Sequence, residues 1–141
     1  MKSKKRTTLD QFLIIGANEE RLYQEYQRYG TLVIAYDFDG TVHDYHKEGY
    51  SYEMVRKLIR DMREVGFTLV CWTAHPDPEV YVPKFLKDNN IPYDYINEGG
   101  IPLPWNNVKP FFSALLDDRC GLESMYRDLS NVVKRIKENK K

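Results

Sequence analysis

Cysteine is scarce in this chain: Cys71 and Cys120 are the only two in 141 residues, far apart and without C-x-x-C or metal-ligand spacing. That leaves no disulfide framework and no thiolate metal site, and it suits free thiols in a reducing compartment. Charge imbalance is missing too, with 21 Lys+Arg against 21 Asp+Glu. The overall balance therefore gives no ground for a nucleic-acid or membrane surface. Basic clusters occur only near the ends, Lys2 to Arg6 and Lys134 to Lys141, the usual place of solvated tails. No apolar run approaches membrane-spanning length, and Phe12 to Ile15 is far shorter than a signal-peptide core. The three histidines, His43, His46 and His75, have no ligand spacing and read as surface or rim residues. His75 is the best placed of them, since it follows Thr73 by two. There are no internal repeats, and no low-complexity segment beyond the lysine-rich end. The expectation is a soluble, cytoplasmic protein of one domain, with residues 1–17 as an N-terminal tail, partly disordered up to Leu9, and 18–141 as the folded unit.

What the chain does have is a set of short apolar runs that stop at polar residues. Leu32-Val33-Ile34-Ala35-Tyr36 follows Gly30, lacks helical periodicity, and ends at Asp37-Phe38-Asp39-Gly40-Thr41-Val42. Such a run reads as a parallel strand buried on both faces. Phe67 to Trp72 is a second, ending at Thr73; Tyr93 to Ile96 is a short third; about Phe112 to Leu116 is a fourth, ending at Asp117-Asp118. Helices alternate with them. Asn18 is the expected cap of one reaching Tyr29, and Ser51 of one carrying Met54, Val55, Leu58, Ile59, Met62 and Val65. Asp77-Pro78 is expected to open a helix to about Asn89 that Pro83 kinks or delays, and the last helix runs from Leu122 to about Lys137. Strand, helix, strand is a βαβ unit, which forces parallel pairing and a right-handed crossover. The fold class is thus α/β, a Rossmann-like three-layer sandwich on a central parallel sheet.

In open α/β sheets ligands bind beyond the carboxyl ends of the strands. Asp37 and Asp39, Thr73, and Asp117 and Asp118 are all expected at that edge, with Lys109 arriving just before the last strand. Clustered carboxylates repel one another unless a hard cation neutralises them, and Mg²⁺ is usual when phosphate oxygens complete its shell. A phosphoryl group also needs donors and positive charge, which Thr73 and Lys109 can supply.

Taken in order, these residues resemble the motifs of haloacid-dehalogenase-superfamily phosphohydrolases. Asp37-Phe38-Asp39-Gly40-Thr41-Val42 is similar to the D-x-D-G-T-[VIL] first motif, Thr73 to the Ser/Thr second, Lys109 to the lysine, and Asp117-Asp118 to the acidic fourth. The resemblance spans about Leu32 to Leu122. It implies that Asp37 is a nucleophile forming an aspartyl-phosphate and that Asp39 is the acid and base. It makes Thr73 and Lys109 catalytic residues that bind the phosphate. It implies Mg²⁺ held by Asp37, the main-chain carbonyl of Asp39, and Asp118, with Asp117 as the alternative. The adjacent acidic pair followed by Arg119 departs from the commoner G-D-x-x-x-D and resembles the polynucleotide 3′-phosphatase and carboxy-terminal-domain phosphatase branches. Choosing Asp118 over Asp117 rests on that likeness.

A calcium loop starting at Asp37 is a poor alternative, because its sixth position, which needs Gly, is Val42. Lys84 and Lys87 compete with Lys109, and Trp72 and Trp105 read as packing residues unless Trp105 lines an entrance. The expected function is Mg²⁺-dependent phosphomonoester hydrolysis. The alternatives are phosphotransfer to another acceptor and a non-catalytic module that binds metal or a phosphorylated ligand. Neither segment between motifs has room for a cap domain. The expected partner is accordingly a phosphorylated substrate, a small molecule or a bulky one such as a nucleotide or nucleic-acid end, with no membrane involved.

Overall fold

A computed structural model describes residues 10–99 and 110–140. Lys109 and Trp105, and all but the start of the 99–105 loop, lie outside the described residues, as do residues 1–9. Four helices, α1 (Ala17–Tyr29), α2 (Glu53–Glu64), α3 (Tyr81–Asp88) and α4 (Leu122–Asn139), accompany four strands, β1 (Val33–Tyr36), β2 (Thr68–Cys71), β3 (Tyr95–Ile96) and β4 (Ala114–Leu116). The strands form one sheet in the order β3-β2-β1-β4, every pair parallel. This is the expected Rossmann-like α/β sandwich, with the Asp37 strand central. No described helix is long and apolar enough to cross a membrane.

Alternation along the strands sorts the core into two unequal parts. Ile34, Tyr36, Leu69, Cys71, Ala114 and Leu116 point to one face and join the main core, to which all four described helices contribute. Val33, Ala35 and Val70 point to the other and form a small cluster with Phe112 and Leu115. The connections β1-α2-β2 and β2-α3-β3 step in the same direction across the sheet, so right-handed crossovers place α2 and α3 on the same face. In α2 the buried residues are Val55, Leu58, Ile59 and Met62; in α4 they are Leu129, Val132, Val133 and Ile136. Both sets repeat at i, i+3, i+4, i+7, the stripe that turns one side of a helix toward a core. α4 touches both α1 and α2.

The helix starts differ from those expected. α1 begins after Gly16, in the left-handed region, with no side-chain cap. Asn18 instead donates from its amide to Asp128 Oδ2 on α4 at 2.9 Å, and so ties two helices together. α2 starts after Tyr52, whose φ is +56°, while Ser51 Oγ accepts from the Glu53 N–H at 3.2 Å. Asp77 caps only the preceding turn, its Oδ1 accepting from the Val80 N–H at 3.1 Å, and α3 proper begins at Tyr81. Pro83 is thereby the third helical residue, where a missing N–H costs no helical hydrogen bond. β3 shrinks to two residues; Asp94 before it closes the pairing, its N–H donating to the Leu69 carbonyl and its Oδ2 accepting the Leu69 N–H, each at 2.8 Å.

At the amino ends of β1 and β4 a polar clamp sets the pairing. Ser113 Oγ accepts from the Val33 N–H at 2.9 Å and donates to Glu25 Oε2, while its carbonyl accepts from Arg21 at 3.1 Å. Ser113 is buried, so these bonds satisfy groups that would otherwise be costly to desolvate.

Ile34 is fully buried at the middle of the central strand. Ile34→Ala is expected to cost about 2–5 kcal/mol, read as a lower urea midpoint with an unchanged slope.

Candidate active site

The site begins where β1 stops. The Asp37 N–H still donates to the Leu116 carbonyl at 2.8 Å, so the first carboxylate is anchored to β4. The chain then turns on one acceptor: the Phe38 carbonyl receives the N–H groups of Thr41, Val42 and His43 at 3.3, 3.0 and 3.0 Å. Gly40, at φ +78°, makes the turn possible, and it also leaves space. A Cβ built there would lie 2.7 Å from Asp118 Oδ2, inside van der Waals contact. Backbone conformation and close approach both require glycine at this position.

Strand register brings the acidic residues together. Tyr36 is level with Leu116 on one side and Cys71 on the other, so Asp37 and Asp117 each leave one residue later from adjacent strands. Asp37, Asp117 and Asp118 offer one carboxylate oxygen each, and these lie within 4.8 Å of one another. Asp118 is tethered to the turn: its N–H donates to Thr41 Oγ1 at 3.1 Å and the Thr41 hydroxyl donates to Asp118 Oδ1 at 3.3 Å. Asp117 Oδ1 accepts from the Arg119 N–H at 2.8 Å. Both members of the pair are therefore in reach of a shared ligand, and three oxygen donors so placed suit a hard divalent cation.

The electrostatics carry the mark of that crowding. Burial, first, and the neighbouring Asp118 and Asp117 carboxylates push Asp37 up to about 7, against a lowering contribution from the Phe38 N–H. Among the described residues no lysine or arginine forms a salt bridge with any of the three. The Cys71 thiol behind them is raised by burial and by the charge of Asp37 and Asp39.

Asp39 stands apart from this cluster. Its Oδ1 is 2.8 Å from Nδ1 of His43, whose Nε2 is 2.9 Å from the Tyr81 hydroxyl. The side chain of His43 is only 13% exposed. His43 is thus no rim residue, and the expectation from the sequence is corrected here: the turn on the Phe38 carbonyl folds position 43 back beside position 39. The His43 ring stacks on Phe38 at 4.6 Å, with the edge-on Phe85 ring at 4.7 Å. His75 stacks on Tyr81 at 5.0 Å, which gives the well-placed third histidine a packing role in the same block.

Thr73 follows the end of β2, two residues beyond the level of Tyr36. Its N–H donates to Asn97 Oδ1 at 2.8 Å and its Oγ1 accepts from the His75 N–H at 3.0 Å. Among the described residues no group accepts the hydroxyl proton. Asn97, at φ +56° just past β3, went unnoticed in the sequence; asparagine is one of the few residues at ease in that conformation. Of the expected site residues, then, the fold gathers Asp37, Asp117 and Asp118, sets Asp39 and Thr73 at the same edge, and leaves Lys109 outside the described residues.

The raised Asp37 predicts a pH effect on stability. Folded Asp37 holds its proton up to about 7 against an ordinary 3.8, so between those values the folded state binds more protons than the unfolded one. The contribution of Asp37 to stability in the presence of a chelator should therefore fall as pH rises from about 4 to about 7 and level off above that. Asp37→Asn should flatten this slope in thermal melts, and a slope unchanged in the variant would place its origin elsewhere.

No protein-family model and no curated protein matches the chain. Among solved structures, the crystal structure of an MCSG target from Vibrio cholerae is similar at 21% identity, over 74% of this chain and 97% of that one, with a TM-score of 0.42. A likeness of that degree carries no inference about function.

Proposed function

We propose that the protein is a Mg²⁺-dependent phosphomonoester hydrolase that works through an aspartyl-phosphate on Asp37. The observation that carries this reading is the meeting of Asp37 with Asp117 and Asp118 across the carboxyl ends of two adjacent parallel strands. Three carboxylates with no described cationic partner are costly as they stand, and the donor set fits Mg²⁺. Asp37, Asp118 or Asp117, and the main-chain carbonyl of Asp39 would hold the ion. Once bound, it would offset the carboxylate charge and draw electron density from the phosphoryl oxygens.

The residues of the chain then divide the work. An Asp37 oxygen bonds to phosphorus as the bond from phosphorus to the leaving oxygen breaks, and Asp39 hands its proton to that oxygen. In the second half Asp39 takes a proton from water, which attacks the phosphorus, releases inorganic phosphate and restores Asp37. The Thr73 hydroxyl, with its lone pair already engaged by His75, donates to a phosphoryl oxygen, and Lys109 adds positive charge.

The substrate end of the reading rests on openness. Between β1 and β2, and between β2 and β3, the described chain spends its length on one helix each, so no cap closes over the site there. Tyr45, Tyr50, Trp72 and Tyr81 are exposed, and such aromatics suit a nucleotide or a nucleic-acid end. The two free cysteines, Cys71 buried and Cys120 exposed, fit a reducing cytoplasm.

Asp37→Asn is expected to abolish turnover of a phosphoester panel while leaving the thermal midpoint in Mg²⁺-free buffer at or above that of the wild type. A variant that keeps a tenth of the rate would sink the covalent route. Asp118→Ala should raise the Mg²⁺ concentration needed for half-maximal rate, measured by titration; the same shift in Asp117→Ala alone would transfer the ligand role to Asp117. For an open site, kcat/KM on nucleotides or oligonucleotide ends should at least equal that on sugar phosphates. A preference for the small esters above tenfold, about 1.4 kcal/mol, would require something else to act as a lid.

A further inference from the structure

The acid and base of the proposed reaction is a single carboxylate, and the way it is held decides which of its oxygens can carry a proton. Asp39 Oδ1 faces His43 Nδ1 at 2.8 Å, and His43 Nε2 faces the Tyr81 hydroxyl at 2.9 Å. Against an ionised carboxylate, which only accepts, Nδ1 is the donor in the Nδ1–H tautomer, and the other ring nitrogen then accepts the phenol proton. That tautomer satisfies all three groups. The ring has little freedom to leave this arrangement, since Phe38 stacks on it at 4.6 Å and 16° while Phe85 stands edge-on at 4.7 Å. Tyr81 is fixed in turn by His75, stacked at 5.0 Å and 4°, and by its place in the first turn of α3.

We propose that His43, braced by Tyr81, is a positioning residue that keeps Asp39 Oδ1 as an acceptor in both halves of the reaction, so that the travelling proton is always on Oδ2. The proposal rests on the hydrolase reading above and adds to it a residue with no motif of its own. In the first half, Oδ2–H gives its proton to the leaving oxygen as the bond from phosphorus breaks. In the second half, Oδ2 takes a proton from the attacking water. The His43 Nδ1–H stays donated to Oδ1 throughout, so His43 neither gains nor loses a proton. Without it the carboxyl group is free to rotate about χ2 and to present its proton away from the leaving oxygen. A misplacement of that kind costs up to about 100-fold in rate.

A positioning role for the acid leaves a signature that a role in packing does not, because proton delivery matters in proportion to how poor the leaving group is. Benzyl phosphate and 4-nitrophenyl phosphate are of similar bulk, but the first expels an alkoxide-like oxygen and the second a stable phenolate. In the full-length protein with saturating Mg²⁺, His43→Phe keeps a ring against Phe38 and removes the donor. It should lower kcat/KM for benzyl phosphate by roughly 100-fold and for 4-nitrophenyl phosphate by less than about tenfold, in line with what general acid catalysis contributes. His43→Asn, whose amide nitrogen can replace Nδ1, should recover most of the benzyl phosphate rate. Tyr81→Phe removes only the brace and should give a smaller loss with the same selectivity, which keeps the test decisive if His43→Phe does not fold. Equal losses on both esters, or His43→Asn no better than His43→Phe, would overturn the positioning role while the hydrolase reading stands. Failure of the wild-type protein to turn over these esters and the nucleotides and oligonucleotide ends alike would overturn the hydrolase reading, and this proposal with it.

Discussion

Like charges held in contact by backbone pairing are the constraint around which this molecule is built. Asp37 and Asp117 leave adjacent strands one residue past a shared level, so their separation is set by the hydrogen-bond spacing of a parallel sheet, not by side-chain choice. The rest of the fold accordingly opposes their repulsion: the Asp37 N–H stays paired to β4, Thr41 ties Asp118 to the turn, and the Ser113 clamp secures the far end of the same strand pair. The raised affinity of Asp37 for a proton comes first from its burial, and the neighbouring Asp118 and Asp117 carboxylates add to it.

The two sides of the site are supported by different physics. The carboxylate cluster is held by hydrogen bonds close to the backbone, the Asp37 N–H on the Leu116 carbonyl and the Thr41 hydroxyl on Asp118. Asp39 is held by an aromatic block, Phe38, His43, Tyr81, Phe85 and His75, reached through one polar contact. Arg56 joins this block to the turn, donating to the Val42 carbonyl at 2.8 and 3.0 Å with its guanidinium over the Phe85 ring. The carboxylate cluster is thus fixed close to the backbone, and Asp39 by ring packing that holds the His43 imidazole against it.

Much of this was legible in the sequence, for identifiable reasons. Buried strands read as apolar runs because both faces are covered, and their ends read as abrupt polar residues, so the parallel sheet and the edge where Asp37, Thr73 and Asp117-Asp118 emerge could be foreseen. The stripes of α2 and α4 were equally plain. Helix starts were not. Asn18 and Asp77 have the right chemistry for caps, but Asn18 is engaged by a residue 110 positions away and Asp77 by a turn before its helix. His43 was missed for a similar reason: its meaning lies in a chain reversal that only the hydrogen bonds to the Phe38 carbonyl reveal. Asn97 has no neighbouring motif to single it out.

The turn that converges on the Phe38 carbonyl also bears on how such a chain can change in length. Three successive amides share that acceptor, and Gly40 passes against Asp118 with no space to spare. A residue inserted anywhere from Asp37 to His43 would rotate every later amide off its partner and carry His43 away from Asp39. The stretch from Tyr45 to Tyr50 is largely exposed and is held mainly by Asp44, whose carboxylate accepts the N–H groups of Glu48 and Gly49 at 3.0 and 2.7 Å. Insertions and deletions are absorbed in segments of that kind. Variation in length therefore belongs downstream of Asp44, where it would reshape the mouth of the site and leave Asp37 and Asp39 in place.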